Sequence, residues 1–150
     1  MKEMKKGLFG IVFILGLLVS YQNVAQDIEL TVIGNSESVP EELNMEQLVS
    51  IMKGEKLRWE DGSAIKIALM KTSTPIGIGT CKKIYRMSGN ELNKYFLALV
   101  FQGKVKAPTF FNSTSELEDY VAQTPGAIGV IQTVTDEQNR IVLVNGKKQI

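Results

Sequence analysis

Short runs of alternating apolar and polar residues, separated by segments with helical spacing, predict four strands and four helices after residue 26. Residues 27–33 alternate in the manner of a half-buried strand, and similar short apolar runs predict strands at 65–70, 127–132 and 141–144. No repeat, linker or low-complexity tract interrupts this alternation. The pattern therefore predicts one compact α/β sandwich.

Capping residues and helix breakers predict where the four helices begin and end. Asn44 precedes a helix at 45–52, and Pro75 can start a second helix that runs loosely to 83–85. Ser88 precedes a third helix that reaches Phe101, and Ser113 opens a fourth that stops before Pro125. Gly77 and Gly79 weaken the second of these helices. The residues predicted to face the core are Leu92, Tyr95, Phe96, Leu99 and Val100 on the third helix and Leu117, Tyr120 and Val121 on the fourth.

Residues 1–26 have the pattern of a secretory signal peptide. Lys2, Lys5 and Lys6 precede the uncharged stretch 7–19, whose 13 residues are too few to span a bilayer but suit a signal core. Cleavage would follow Ala25 or Gln26, and no cysteine follows the apolar run to carry a lipid anchor. The prediction is a periplasmic or secreted domain without membrane contact after cleavage; the alternative is an uncleaved N-terminal anchor.

Composition excludes several classes of function for residues 27–150. Without the three Lys and one Glu of the signal segment, the domain has 14 basic and 15 acidic residues. Its net charge is therefore close to zero, and nothing indicates a nucleic acid partner. The chain has no histidine and Cys81 is its single cysteine, which argues against a zinc site, a disulfide and the common hydrolase triads. We therefore expect no catalytic residues, no metal and no cofactor. Cys81 lies beside Lys82 and Lys83 and could be reactive, but a half-buried structural thiol is the favoured interpretation.

One polar loop has the residue types of an anion site. The 71–74 loop lies between a predicted strand end and a predicted helix start, where free N–H groups attract negative charge. It consists of Lys71, Thr72, Ser73 and Thr74. The competing interpretation is that Ser73 or Thr74 merely caps the helix and Lys71 is a surface residue. Asn35 and Ser36, after the first strand, are secondary candidates of the same kind.

An ordered set of motifs resembles the phosphate-type periplasmic substrate-binding proteins of ABC transporters, in particular their short single-domain relatives. The most specific motif is Pro-Gly-Ala-Ile-Gly at 125–129, which follows a predicted helix. The remaining landmarks are residues 48–54 with Trp59 and Gly62, residues 87–92 with Tyr95 and Phe96, residues 101–103, and Pro108.

This resemblance implies a single lobe of a type II periplasmic-binding-protein-like fold, with a central mixed sheet flanked by helices. It further implies an exported, non-enzymatic domain that binds phosphate or a similar oxyanion weakly, with a transporter or envelope protein as partner. Relatives carry an anion loop with Arg at the place of Lys71, and short relatives carry Arg and Phe where Gly77 and Thr80 stand here. Because these gripping residues depart from the pattern, the alternative is a structural or protein-interaction envelope domain that has lost the ligand site.

Overall fold

The structure, a computed structural model, describes residues 27–150. The predicted signal peptide lies outside the described residues. Within them, six strands and four α-helices alternate, and α2 continues directly into a π-helical segment, Cys81–Tyr85. The strands are β1 (Thr31–Gly34), β2 (Glu42–Leu43), β3 (Lys66–Met70), β4 (Thr109–Phe111), β5 (Ala127–Ile131) and β6 (Arg140–Val144). The helices are α1 (Met45–Met52), α2 (Pro75–Thr80), α3 (Gly89–Phe101) and α4 (Thr114–Gln123).

The six strands form one mixed sheet in the order β2-β6-β1-β5-β3-β4, which confirms the predicted fold class. β1 is antiparallel to both of its neighbours, while the other three pairs are parallel. The parallel strands therefore end along one side of the sheet, the carboxyl edge, and begin along the other, the amino edge. Because β1 runs the opposite way, its last residues lie at the amino edge. This reversal decides where the candidate site residues are found.

Two strands were not predicted, and a third is shorter than predicted. β2 and β4 have two and three residues, which is too short for an alternating pattern to register. β1 begins at Thr31, whereas the sequence pattern began at residue 27. Leu30 instead exchanges two backbone hydrogen bonds with Ile150, of 3.0 and 2.9 Å.

The helix starts agree with their capping signals. Asn44 and Ser88 each close a capping box with the residue three positions on, and Thr74 and Ser113 each accept a backbone N–H bond at the starts of α2 and α4. The predicted looseness after Pro75 takes the form of a six-residue α2 followed by the π-helical segment. Arg86 ends that segment in the left-handed conformation, with φ of 54°.

Helices cover both faces of the sheet. One face packs against α1, the π-helical segment and α3, and the other against α4. Leu92 and Phe96 of α3 are buried as predicted, but the prediction for Val100 was wrong, because it is 39% exposed. Leu97 and Phe101, on the outer side of the same helix, are 68% and 92% exposed. Apolar character alone could not separate the two sides of a helix that carries apolar residues on both.

Two general searches of residues 27–150 gave negative results. None of the helices in this part of the chain is long and apolar enough to cross a membrane. Nor does this part of the chain bring together three or more cysteine, aspartate or glutamate side chains in a metal-binding arrangement.

Candidate functional site

The 71–74 loop lies at the carboxyl edge, between the end of β3 and the start of α2. Lys71 N–H donates to Phe111 O of β4 at 3.0 Å. Thr74 closes the turn, because its N–H and its hydroxyl both donate to Lys71 O, at 2.9 and 2.7 Å. The same hydroxyl accepts from Gly77 N–H at 3.0 Å and so caps α2. The side chain of Thr74 is thus committed to the helix start.

The centre of the loop keeps unused hydrogen-bond donors. The backbone N–H groups of Thr72 and Ser73 make no hydrogen bond to any other residue of the described chain. Lys71 and Ser73 are exposed and Thr72 is half-buried. Unpaired main-chain donors beside a lysine and hydroxyl groups are the chemistry that oxyanions require.

The start of α3 packs against this loop. A Cβ atom placed on Gly89 would lie only 2.8 Å from Cβ of Thr72, so the two segments are in close contact. Ser88 caps α3 by accepting from Glu91 N–H at 3.2 Å, and Glu91 Oε2 accepts from Ser88 N–H at 2.8 Å. The helix start is positively polarised, but the Glu91 carboxylate already offsets part of that field.

Gly77 and Thr80, where short relatives would carry Arg and Phe, have structural roles here. A Cβ atom on Gly77 would lie 2.0 Å from Lys71 O, so the turn leaves no space for any side chain at this position. Thr80 is 2% exposed and its hydroxyl donates to Ile76 O at 2.8 Å. Lys71 is therefore the cation that residues 71–80 offer to an anion.

Asn35 and Ser36, the secondary candidates, lie at the amino edge and are not brought together with the 71–74 loop. Asn35 is 3% exposed, and its Nδ2 donates to the carbonyls of Val121 and Ala122 at the end of α4, both at 3.0 Å. Its Oδ1 accepts from Glu37 N–H at 3.1 Å. The side chain thus joins β1 to α4, while Ser36 is exposed.

The Pro-Gly-Ala-Ile-Gly motif has a structural explanation. Gly126 has φ of +82°, and a Cβ atom there would lie 2.1 Å from Ala64 O. Gly126 O accepts from the Trp59 indole at 2.9 Å and from Lys66 N–H at 3.1 Å. Two distant landmarks of the sequence, Trp59 and Gly126, therefore form one buried contact of the scaffold.

The environment of Cys81 agrees with a structural thiol. Its side chain is 3% exposed, and burial raises the pKa of the thiol. Burial also raises the pKa of the neighbouring Tyr85, whose hydroxyl donates to Met52 O at 2.9 Å. Since the thiolate is the reacting form, both burial and the raised pKa oppose modification.

We therefore expect Cys81 to resist iodoacetamide at pH 7.5 in the native protein and to react fully in denaturant. Mass spectrometry of the intact protein over time measures the alkylated fraction. A free small thiol in the same tube is the control for reagent activity. Labelling of the native protein at the rate seen in denaturant would contradict the buried placement.

Comparison with known proteins gives matches at the level of structure. No protein-family model matches the chain, and no curated protein sequence matches it significantly. The structural matches include an ABC-type phosphate transport receptor from Vibrio cholerae (16% identity, TM-score 0.63), which covers 81% of this chain and 49% of the receptor. PstS from Borrelia burgdorferi matches at 19% identity and TM-score 0.59, covering 79% of this chain and 47% of PstS.

A third match has a ligand. It is a protein from Clostridium perfringens described as a phosphate ABC transporter substrate-binding protein, solved with bound phosphate, with 14% identity and TM-score 0.60. The match covers 81% of this chain and 47% of that protein. The chain spans about half the length of the structures that it matches. At these identities the likeness establishes the fold alone, so the described chain shares its architecture with about half of each of these three proteins.

Proposed function

We propose that this chain is an exported, non-enzymatic substrate-binding-like domain that binds phosphate or a related oxyanion at the 71–74 loop. The observation that carries the proposal is the pair of unpaired N–H groups at Thr72 and Ser73, beside exposed Lys71, at the carboxyl edge of the sheet. In open α/β sheets ligands bind outside the carboxyl ends of the strands. A transporter or envelope component is the partner that this function requires.

The shape of the loop supports a weak site. An anion at Thr72 and Ser73 would receive two main-chain donors, the Ser73 hydroxyl and the Lys71 ammonium group. Tight oxyanion sites add further charged donors and enclose the ligand on all sides. Gly77 cannot carry the additional cation, and Glu91 lies at the neighbouring helix start. We therefore expect a dissociation constant in the millimolar range.

Titration of the purified 27–150 domain with inorganic phosphate and with sulfate, followed by amide NMR shifts, tests this site. The largest shifts are expected at Thr72 and Ser73. Lys71→Ala should weaken phosphate binding about fivefold, since an exposed charge contact contributes up to about 1 kcal/mol. Lys148→Ala removes an equally exposed lysine elsewhere and should leave the affinity unchanged.

A second variant tests the local field. Glu91→Gln keeps a capping side chain at the start of α3 while removing its negative charge, so it should strengthen phosphate binding about twofold. If the wild-type domain shows no amide shifts at about 20 mM phosphate, roughly tenfold above the expected dissociation constant, the proposal is contradicted. That result would favour the alternative, an interaction domain without a ligand.

A further inference from the structure

A groove of about 510 Å³ lies at the amino edge of the sheet, whereas the 71–74 loop lies at the carboxyl edge. Its walls are the starts of β3 and β4, the segment after α1 and the segment after α3. Lys66 begins β3 and Thr109 begins β4, and both line the groove. The volume lies within the range of small-molecule sites, about 300–1,000 Å³.

The groove concentrates positive charge. Among the residues that the structure describes, five cations line it and no carboxylate does, although acidic residues slightly outnumber basic ones in residues 27–150. None of the five forms an ion pair with a carboxylate of the described residues, and all five are exposed. The five cations are Lys56, Arg58, Lys66, Lys104 and Lys106.

The floor of the groove is apolar. Phe96 and Ile51 are buried beneath it, and Ile67 and Val105 are half-buried in its walls. Leu57, on the rim, is 50% exposed. Gly54 allows the close approach of the two walls, because a Cβ atom there would lie 2.8 Å from Cγ1 of Val105.

We infer that this groove is a second ligand site, distinct from the 71–74 loop, and that it takes a small amphipathic anion. The ligand class is an apolar chain or ring with a carboxylate, sulfate or phosphate head group. The apolar body would cover the floor above Phe96 and contact Val105 in the wall, and the head group would meet the cations of the rim.

Both parts of the ligand follow from the composition of the groove. A purely polar anion would leave the apolar floor in water, and a neutral apolar molecule would leave clustered like charges without compensation. The walls are concave and close together, whereas a stable protein partner needs about 800 Å² of surface on each side. The shape therefore favours a small molecule over an acidic protein.

Octanoate and 1-octanol are matched probes, because they share an apolar chain and differ in charge. Amide NMR titration of the 27–150 domain with octanoate should shift groove residues and leave Thr72 and Ser73 unchanged. The affinity for octanoate should fall with added salt and should exceed that for 1-octanol. At constant ionic strength, inorganic phosphate should displace octanoate only weakly, because it can contact the rim cations but gains nothing from the apolar floor.

A pair of double variants isolates the role of charge. Lys104→Ala with Lys106→Ala should weaken octanoate binding about tenfold and leave 1-octanol binding unchanged. Lys147→Ala with Lys148→Ala makes the same change of charge outside the groove and should have no effect. Leu57→Ser should weaken both probes.

Three results would overturn the inference. The first is that octanoate shifts no amide of the groove. The second is that the two double variants bind octanoate equally well, and the third is that 1-octanol binds as tightly as octanoate. The four lysines are exposed, so the double variants should fold normally, which their circular dichroism spectra would verify. Binding at the 71–74 loop is read from different amides, so the two proposals stand or fall separately.

Discussion

Gly126→Ala is expected to lower the free energy of unfolding by about 2–4 kcal/mol. An alanine at φ of +82° carries strain of about 1 kcal/mol or more, and its Cβ would lie 2.1 Å from Ala64 O. Backbone atoms cannot rotate away as a side chain can, so the chain must shift, which typically costs a further 1–3 kcal/mol or so. That shift would displace Gly126 O from the indole of Trp59 and from Lys66 N–H.

Gly62→Ala is the matched control for this effect. Gly62 has φ of +87°, but a Cβ atom there would meet nothing within 4 Å. It therefore isolates the conformational strain, and we expect a loss of only about 1 kcal/mol. Urea denaturation followed by circular dichroism and by the fluorescence of Trp59 measures both variants. Equal destabilisation of the two would show that the close contact with Ala64 O contributes nothing.

The second large effect is expected for Glu118→Ala, which should lower the free energy of unfolding by about 3 kcal/mol. Glu118 is 1% exposed on α4, yet its carboxylate accepts from Thr135 N–H at 2.7 Å, from the Thr135 hydroxyl and from Asp136 N–H at 3.2 Å. It thereby holds the connection between β5 and β6 against α4. Alanine would leave these donors unpaired in a partly buried place and remove hydrogen bonds to a charged group.

Two further substitutions separate the parts of this effect. Asp119→Ala removes the adjacent, exposed carboxylate and should change stability by less than about 0.5 kcal/mol. Glu118→Gln keeps the side-chain length and one acceptor oxygen, so a smaller loss of about 1–2 kcal/mol is expected. Thermal unfolding at constant pH gives the comparison. A Glu118→Ala variant as stable as Asp119→Ala would rule out this role of the carboxylate.

Sequence reasoning succeeded where local chemistry decides the structure. The hydroxyl and amide side chains of Asn44, Ser88 and Ser113 satisfy N–H groups only a few residues away, so their positions predict helix starts without knowledge of the fold. Alternation and apolar runs predicted β3, β5 and β6 for a similar reason, since successive side chains of a strand point to opposite faces.

The candidate site was only partly predictable. The loop after β3 was found because a strand end followed by a helix start is a local signal. The helix cap by Thr74 was one of the two interpretations that the sequence offered, and the structure shows it. The lack of space at Gly77 was not predicted, because it depends on how the turn places Lys71 O. Asn35 has the same polar character as the loop, but the antiparallel course of β1 carries it to the other edge of the sheet.

The cationic groove leaves only a faint trace in the sequence. Lys-Leu-Arg at 56–58 and Lys-Val-Lys at 104–106 are two basic–apolar–basic triplets, nearly fifty residues apart. Each alone is typical of a solvated surface. The sequence by itself therefore determined the α/β class, most helix limits and one candidate loop, because these depend on neighbours along the chain. Tertiary structure alone decided which charges share a surface, because strand order and direction bring together residues that the sequence keeps apart.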